Sequence, residues 1–367
     1  MKILAVDVGT GTQDILLFDS SREIENNLKM VMPSPTVLVA DAIRQATAKR
    51  QAILLTGTIM GGGPSGWAME DHLRAGLKVY ATPSAALSFN DELSEVEKLG
   101  VRIISDDEAK NLKRVKRVEM RDFYLSQIER ALGAFGVPLD VDAYAVAVLD
   151  HGNAPPGYSD RRFRFDFLAE AIQAHGRLSA FAFPRDRIPP RMTRMLATAR
   201  SVDADRPLLV MDTAPAAVLG ALEDPHVQAL PRALIANVGN FHTLAFHLGD
   251  GRIHGVFEHH TGELTREELE TYLGKLARGE ITNDEVFGDM GHGALVFDSH
   301  APPPTDLAVI GPRRGLLRGS ALQPYFAVPH GDMMIAGCFG LLRAYADHAP
   351  DWKEEIEKVI GKSQDKF

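Results

Sequence analysis

Residues 5–20 read AVDVGTGTQDILLFDS. An apolar run ends in Asp7, the turn formers Gly9, Thr10, Gly11 and Thr12 follow, and an apolar run resumes at Ile15. Two strand-like runs, 2–8 and 15–19, joined in this way predict a β-hairpin. Its glycines let a ligand approach the backbone and expose consecutive N–H groups, and its threonine hydroxyls add donors. Asp7, at the end of the first strand, is suited to a hydrated Mg²⁺. Such a hairpin fits the β- and γ-phosphates of a nucleotide, and a plain glycine-containing turn would read the same way. A Walker loop is excluded, because Gly-Lys-Ser/Thr is absent. A dinucleotide fingerprint is excluded too, because Asp14 stands where a third small residue is needed.

The pattern returns at 233–257, ALIANVGNFHTLAFHLGDGRIHGVF. An apolar run ends in Asn237-Val238-Gly239, Asn240 to Thr243 follow, and Gly249-Asp250-Gly251 turns the chain into a third strand. Before it, PLLVMDTAPAAVLGALED (207–224) is a strand running into Asp212 and then an Ala-rich helix, with Thr213 as a plausible N-cap. After it come TDLAVIGPRRG (305–315), a strand breaking at Gly311-Pro312, and GDMMIAGCFGLLRAYAD (331–347), a helix with small residues at Ala336, Gly337 and Gly340.

A glycine hairpin, a small-residue helix, a second hairpin, a strand ending in glycine and a second small-residue helix, in that order, resemble the actin and sugar kinase superfamily of ATPases. The resemblance implies an α/β chain of two ribonuclease H-like (actin-like ATPase) domains flanking a nucleotide cleft, with ATP and Mg²⁺ as cofactors. Within that superfamily, TGTIMGGGPSGWA, VLDHGNAPPGYSDRRFRF, FEHHTG and GDMGHGA look like a prokaryotic family whose members have been labelled pyruvate formate-lyase activating enzyme. A radical activase needs three cysteines for its iron–sulfur cluster. This chain has one, Cys338, so that activity is not expected. The chain also departs from the superfamily pattern. Asn237 replaces the carboxylate of the second hairpin, and Gly311-Pro312 replaces the usual Gly-Gly.

The implied organisation is a first domain over 1–205, a second over 206–330, and a C-terminal helical segment over 331–367 packing back on the first. Strands are expected at 28–32, 52–57, 77–80 and 143–149. Helices are expected at 36–49, 122–135, 164–175 and 190–200, and the charged tail from Glu354 is expected to fray. In this frame Thr10, Gly11, Thr12, Gly9, Gly239 and Asn240 would hold phosphates, and Gly311 would lie at the nucleoside. Asp7 would order the water around Mg²⁺, and Asp212 would sit near the attacking water or the metal. Asp150 would be the general base toward an acceptor hydroxyl.

Other polar residues are candidates for the same cleft. The triple glycine 61–63 precedes a helix start, where an anion can bind, or is simply a strand-to-helix loop. His151 adjoins Asp150, and Arg161, Arg162 and Arg164 could clamp a carboxylate or phosphate, with solvation the competing reading for Arg161 and Arg162. Glu258, His259, His260, Asp289 and His292 lie in glycine-flanked turns. They are metal-ligand types without a standard zinc spacing, so substrate hydrogen bonding and satisfied turn histidines are the competing readings. Cys338 reads as a buried small hydrophobe.

The net charge of -9 and the lack of a basic face argue against nucleic acid as partner. No run reaches the length of a membrane span, and the single cysteine suits a reducing cytoplasm. The reading is an ATP-Mg²⁺-binding ATPase or kinase-like enzyme acting on a nucleotide and a small-molecule substrate. Two alternatives are a nucleotide-dependent switch with little turnover and a metal- or metabolite-binding protein that kept the fold and lost ATP.

Overall fold

The structure, a computed structural model, describes residues 1–362. The chain opens with three antiparallel strands, β1 (Lys2–Val8), β2 (Thr12–Asp19) and β3 (Leu28–Pro33). Four short strands follow: β4 (Ile53–Gly57), β5 (Val79–Ala81), β6 (Arg102–Ile103) and β7 (Lys116–Met120). The chain then forms β8 (Ala143–Val148), β9 (Ala182–Pro184) and β10 (Leu208–Asp212). The last six strands are β11 (Arg232–Val238), β12 (His242–Gly249), β13 (Arg252–His260), β14 (Gly293–Val296), β15 (Asp306–Ile310) and β16 (Tyr325–Phe326).

Two six-stranded sheets carry the architecture, in the orders β3-β2-β1-β8-β10-β9 and β14-β13-β12-β11-β15-β16. In each, a three-stranded antiparallel meander is followed by two strands parallel to its first member. In each, one added antiparallel strand closes an edge. This shared order is the ribonuclease H-like unit, present twice. The hairpin turns are closed alike: Gly9 N–H donates to Thr12 O and Gly239 N–H to His242 O, both at 2.9 Å.

Strand content explains the sheets. The central strand β8 (AYAVAV) is buried on both faces, as a parallel strand between helix layers must be, and it is apolar throughout. Strands β4 to β7 form a separate parallel sheet, ordered β6-β5-β4-β7, with a core of its own around Ile53, Leu55, Val79 and Met120. The expected strands at 52–57 and 77–80 therefore lie in an insertion between β3 and β8, not in the first large sheet. A second difference concerns β10: it pairs in parallel with β8. The first sheet thus reaches Asp212, beyond the boundary expected at 205, because β10 fills the open edge of β8. The tail also differs. Ile356 and Ile360 are buried and anchor a helix, Pro350–Ile360, where fraying was expected. The remainder of that tail, 363–367, lies outside the described residues.

Two helices cross between the sheets, Thr213–Ala221 and Ala336–His348. A Cβ on Gly220 would overlap the Ala336 carbonyl oxygen, and one on Gly340 would overlap that of Ala216. The helices thus touch backbone to backbone. Gly220→Ala would gain about 1 kcal/mol of helix propensity, but the added methyl meets a carbonyl that cannot rotate away. Overpacking of this kind costs about 1–3 kcal/mol or more. The expected outcome is a net loss of about 2 kcal/mol in urea unfolding, and a stabilised variant would disprove the backbone contact. Among the described residues, no helix is long and apolar enough to cross a membrane.

Candidate functional site

The two hairpin turns point at one another across a cleft of about 590 Å³. A Cβ on Gly11 would strike the Asn240 side chain. Gly311, at φ +98°, lies against the end of β11, where a side chain would strike Val238 O. Gly9, Thr10, Thr12, Gly239, Asn240 and Gly311 all line the cleft. The Gly61–63 loop lines it as well, held by Thr36 Oγ1 donating to Gly62 O at 2.6 Å. Arg194 ties this loop to the first sheet. It pairs with Asp122, which accepts from Gly61 N–H at 3.1 Å, and it donates to Leu149 O.

The cleft floor carries two carboxylates. Antiparallel register sets Asp7 directly opposite Asp14, on one face of the hairpin and at the distance where like charges oppose each other. Burial pushes Asp7 up to about 7; the Thr213 hydroxyl bond opposes this and the Asp212 charge adds to it. Burial and then the Asp7 charge push Asp14 up to about 8. Asp14 Oδ1 is buried with no hydrogen-bond partner among the described residues. Buried facing carboxylates with an unmet oxygen fit a hard divalent cation such as Mg²⁺. The sequence reading passed over Asp14, although its position opposite Asp7 follows once the hairpin register is drawn.

Asp212 was expected beside attacking water or metal. It is instead fully buried. Arg164 holds both its oxygens, at 2.6 and 3.2 Å, and one of them also caps the following helix by accepting from Ala214 N–H at 3.1 Å. Arg164 is itself fully buried, and its Nε donates to Glu258 at 2.7 Å. Burial opposes the guanidinium charge, but Asp212 and then Glu258 outweigh it and raise the Arg164 pKa. Arg164 therefore clamps carboxylates, but the protein's own. Arg161 and Arg162 lie over the Phe287 ring, and Arg161 donates to Gly291 O at 2.6 Å. They brace the turn before His292 and clamp no ligand in this arrangement.

Asp150 lines the cleft, yet its oxygens accept from Gly152 N–H and Met195 N–H, both at 2.9 Å. Burial raises its pKa to about 6, against the pull of those two bonds. In this state it pins the loop that carries His151. His151 and His292 share a hydrogen bond between their Nε2 atoms at 2.9 Å. His242 packs at 4.9 Å from the His292 ring, and His260, its register partner on β13, lies at 4.7 Å from the same ring. Strand alternation sends His259 to the other face. There it sits 3.4 Å from Asp289 and stacks on Tyr272. The structure thus brings His151, His260 and His292 together and leaves His259 and Asp289 apart. His242 is the member that the sequence reading missed. Its signal was a histidine at the same hairpin position that Thr12 holds in the first copy.

Two ribonuclease H-like halves with their glycine hairpins facing across a cleft define the actin-like ATPase and sugar kinase class of fold. Within it, the chain belongs to the family described as "Putative pyruvate format-lyase activating enzyme (DUF1786)", whose model matches residues 60–316. No curated protein matches the chain. Similar solved structures include a protein described as "a putative N-acetylmannosamine kinase, from Listeria monocytogenes". It has 12% identity over 95% of this chain and 99% of that one, at a TM-score of 0.36. A polyphosphate/ATP-glucomannokinase from Arthrobacter sp. strain KM shares 12% identity over 95% and 99%, at 0.37. A hexokinase from Thermus thermophilus shares 14% over 96% and 100%, at 0.32. The strand order, rather than these overall superpositions, defines the fold. The family's description does not extend to cluster chemistry here, because the one cysteine, Cys338, is buried and donates to Asp14 O at 3.1 Å.

Proposed function

We propose that the cleft binds a nucleoside triphosphate with Mg²⁺ and serves phosphoryl transfer to a small molecule or hydrolysis. The observation that carries this reading is that both glycine turns and the facing Asp7–Asp14 pair line one cleft. When bound, Mg²⁺ neutralises charge on the phosphates. Asp7 and Asp14 would hold it through oxygen and water. The Thr10 and Thr12 hydroxyls and the Asn240 amide would donate to phosphate oxygens. Gly9 and Gly239 shape the turns, since their N–H groups are spent closing them. Gly311, which packs against the end of β11 because it has no side chain, would present its backbone to the nucleoside.

Calorimetric titration with ATP tests this. Wild-type protein is expected to bind in the micromolar range only with Mg²⁺, and Asp7→Asn to lose at least tenfold. No binding up to millimolar ATP, or Mg²⁺-dependence intact in Asp7→Asn, would refute the assignment. A second reading, a switch with little turnover, is favoured by one observation: Asp150 and Asp212, two of the three expected catalytic carboxylates, are both engaged by protein donors. Single-turnover hydrolysis separates the two. Tight binding with turnover near the uncatalysed rate supports the switch.

A further inference from the structure

We propose a second cation site, formed by His151, His242 and His292, for a divalent first-row transition ion of the zinc type. It would join the two halves of the molecule. The three side chains offer ligand atoms that all lie within 4.8 Å of one another. They arrive from separate places. His151 follows β8 of the first sheet, His242 opens β12 of the second, and His292 precedes β14. His151 and His242 line the cleft, whereas His292 is buried behind them.

The geometry is close to what a metal requires. Zinc–nitrogen bonds of about 2.05 Å at a tetrahedral angle put ligand nitrogens about 3.3 Å apart. His151 Nε2 and His292 Nε2 stand at 2.9 Å, sharing a proton that an ion would replace. The surroundings leave capacity unmet. His242 Nε2 is buried with no hydrogen-bond partner among the described residues. Buried polar atoms of this kind are uncommon unless a ligand or ion uses them.

The protonation state suits the role. Burial first, then nearby guanidinium and histidine charges, push His151 down to about 3 and His242 and His292 well below the usual histidine range. The imidazoles are therefore neutral, as ligands must be. The nearby cations, Arg164 and Arg194, do not repel an ion unopposed. Asp212 and Glu258 flank the first and Asp122 the second. His260 donates from Nδ1 to Met290 O at 2.9 Å, which fixes its ring beside the trio.

Donor chemistry separates this site from the Asp7–Asp14 pair. Imidazole nitrogens select zinc, cobalt, iron or copper over magnesium, and carboxylates with water do the reverse. Three histidines leave a fourth position, and the two cleft-lining ligands direct it toward the cavity. An ion held there ties the loop after β8 to β12, so the halves would be linked whenever it is bound.

Equilibrium dialysis of the nucleotide-free protein against Zn²⁺, with Co²⁺ as a spectroscopic probe, tests the site without reference to ATP. Wild type is expected to hold one equivalent and to give the visible absorption of tetrahedral cobalt. His242→Gln and His151→Gln, both altered at the cleft wall, are expected to weaken binding at least 100-fold while keeping the wild-type circular dichroism. His292→Ala should do the same if it folds. His175→Gln, on the helix Asp160–His175, serves as a control and should change nothing. No stoichiometric binding to wild type, or equal binding in the double variant of His151 and His242, would overturn the proposal. Loss of ATP binding in calorimetry, with zinc binding intact, would refute the nucleotide reading alone.

Discussion

Arg164→Met is expected to lower unfolding free energy by about 3–5 kcal/mol, the cost of leaving buried charges without their partner. Arg164, Asp212 and Glu258 are all inaccessible to solvent. The guanidinium also donates to Asp150 O at 3.0 Å, so four acceptor oxygens from three residues meet at one side chain. Methionine fills similar volume but offers no donor. Two carboxylates would then have to protonate or draw water inward. Lysine is not expected to rescue the protein, because a point charge cannot form the two-pronged contact with Asp212 together with the bond to Glu258. The triple change Arg164→Met, Asp212→Asn, Glu258→Gln should recover a large part of the loss, since it removes the charges as well as their partner. Urea unfolding of the single and combined variants measures this. A loss under about 1 kcal/mol for Arg164→Met would mean that the network is not closed to water.

Stability in metal-free buffer is expected to fall as pH rises from about 6.5 to about 8, by on the order of 2 kcal/mol. The sign follows from the carboxylate pair. An unfolded aspartate releases its proton near 3.8, while Asp7 and Asp14 keep theirs to about 7 and about 8. Raised carboxylates favour the folded state at low pH and lose that advantage as they ionise. The three clustered histidines have the opposite sign. Their depressed values make the folded state lose stability as pH falls below about 6.5. The two trends oppose each other in acid, and only the carboxylate trend remains above 6.5. Asp14→Asn should therefore flatten the alkaline decline while leaving the acid limb in place. Chemical denaturation at a series of pH values reads both limbs, and an alkaline limb unchanged in Asp14→Asn would show that the pair does not titrate in this window.

The hairpins, the crossing helices and most strands were legible because each depends on short-range pattern. Asp7-Val8-Gly9 and Asn237-Val238-Gly239 announce their turns locally. What sequence reading missed depends on partners far along the chain. Arg164 stands 48 residues from Asp212 and 94 from Glu258, and no periodicity reveals such a pairing. Strand β10 reads alike whichever sheet it joins. The insertion of β4 to β7 is built of the same strand–helix units as its host, so composition marks no border. Asp14 was hidden differently. It was weighed as a misfit to a dinucleotide fingerprint, and its cross-strand neighbour was not drawn. The histidine group was half visible: the residue types stood out, but only the fold could separate His259 from His260 and admit His242.

The contact between Gly220 and Gly340 limits how the molecule can be deformed. Helices separated by side chains can slide, because those side chains change rotamer as they pass. Here carbonyl oxygens rest against the opposing backbone, and a shift of one turn would bring Arg343, three residues on from Gly340, into a gap with no room for it. Translation along either axis is blocked at the glycine contact, which leaves tilt about the crossing point as the motion that forces no side chain through it. The crossing therefore acts as a fulcrum, so a few degrees of tilt there would move the rims of the two large sheets farthest. Leverage, rather than local flexibility, would set how wide the mouth can open.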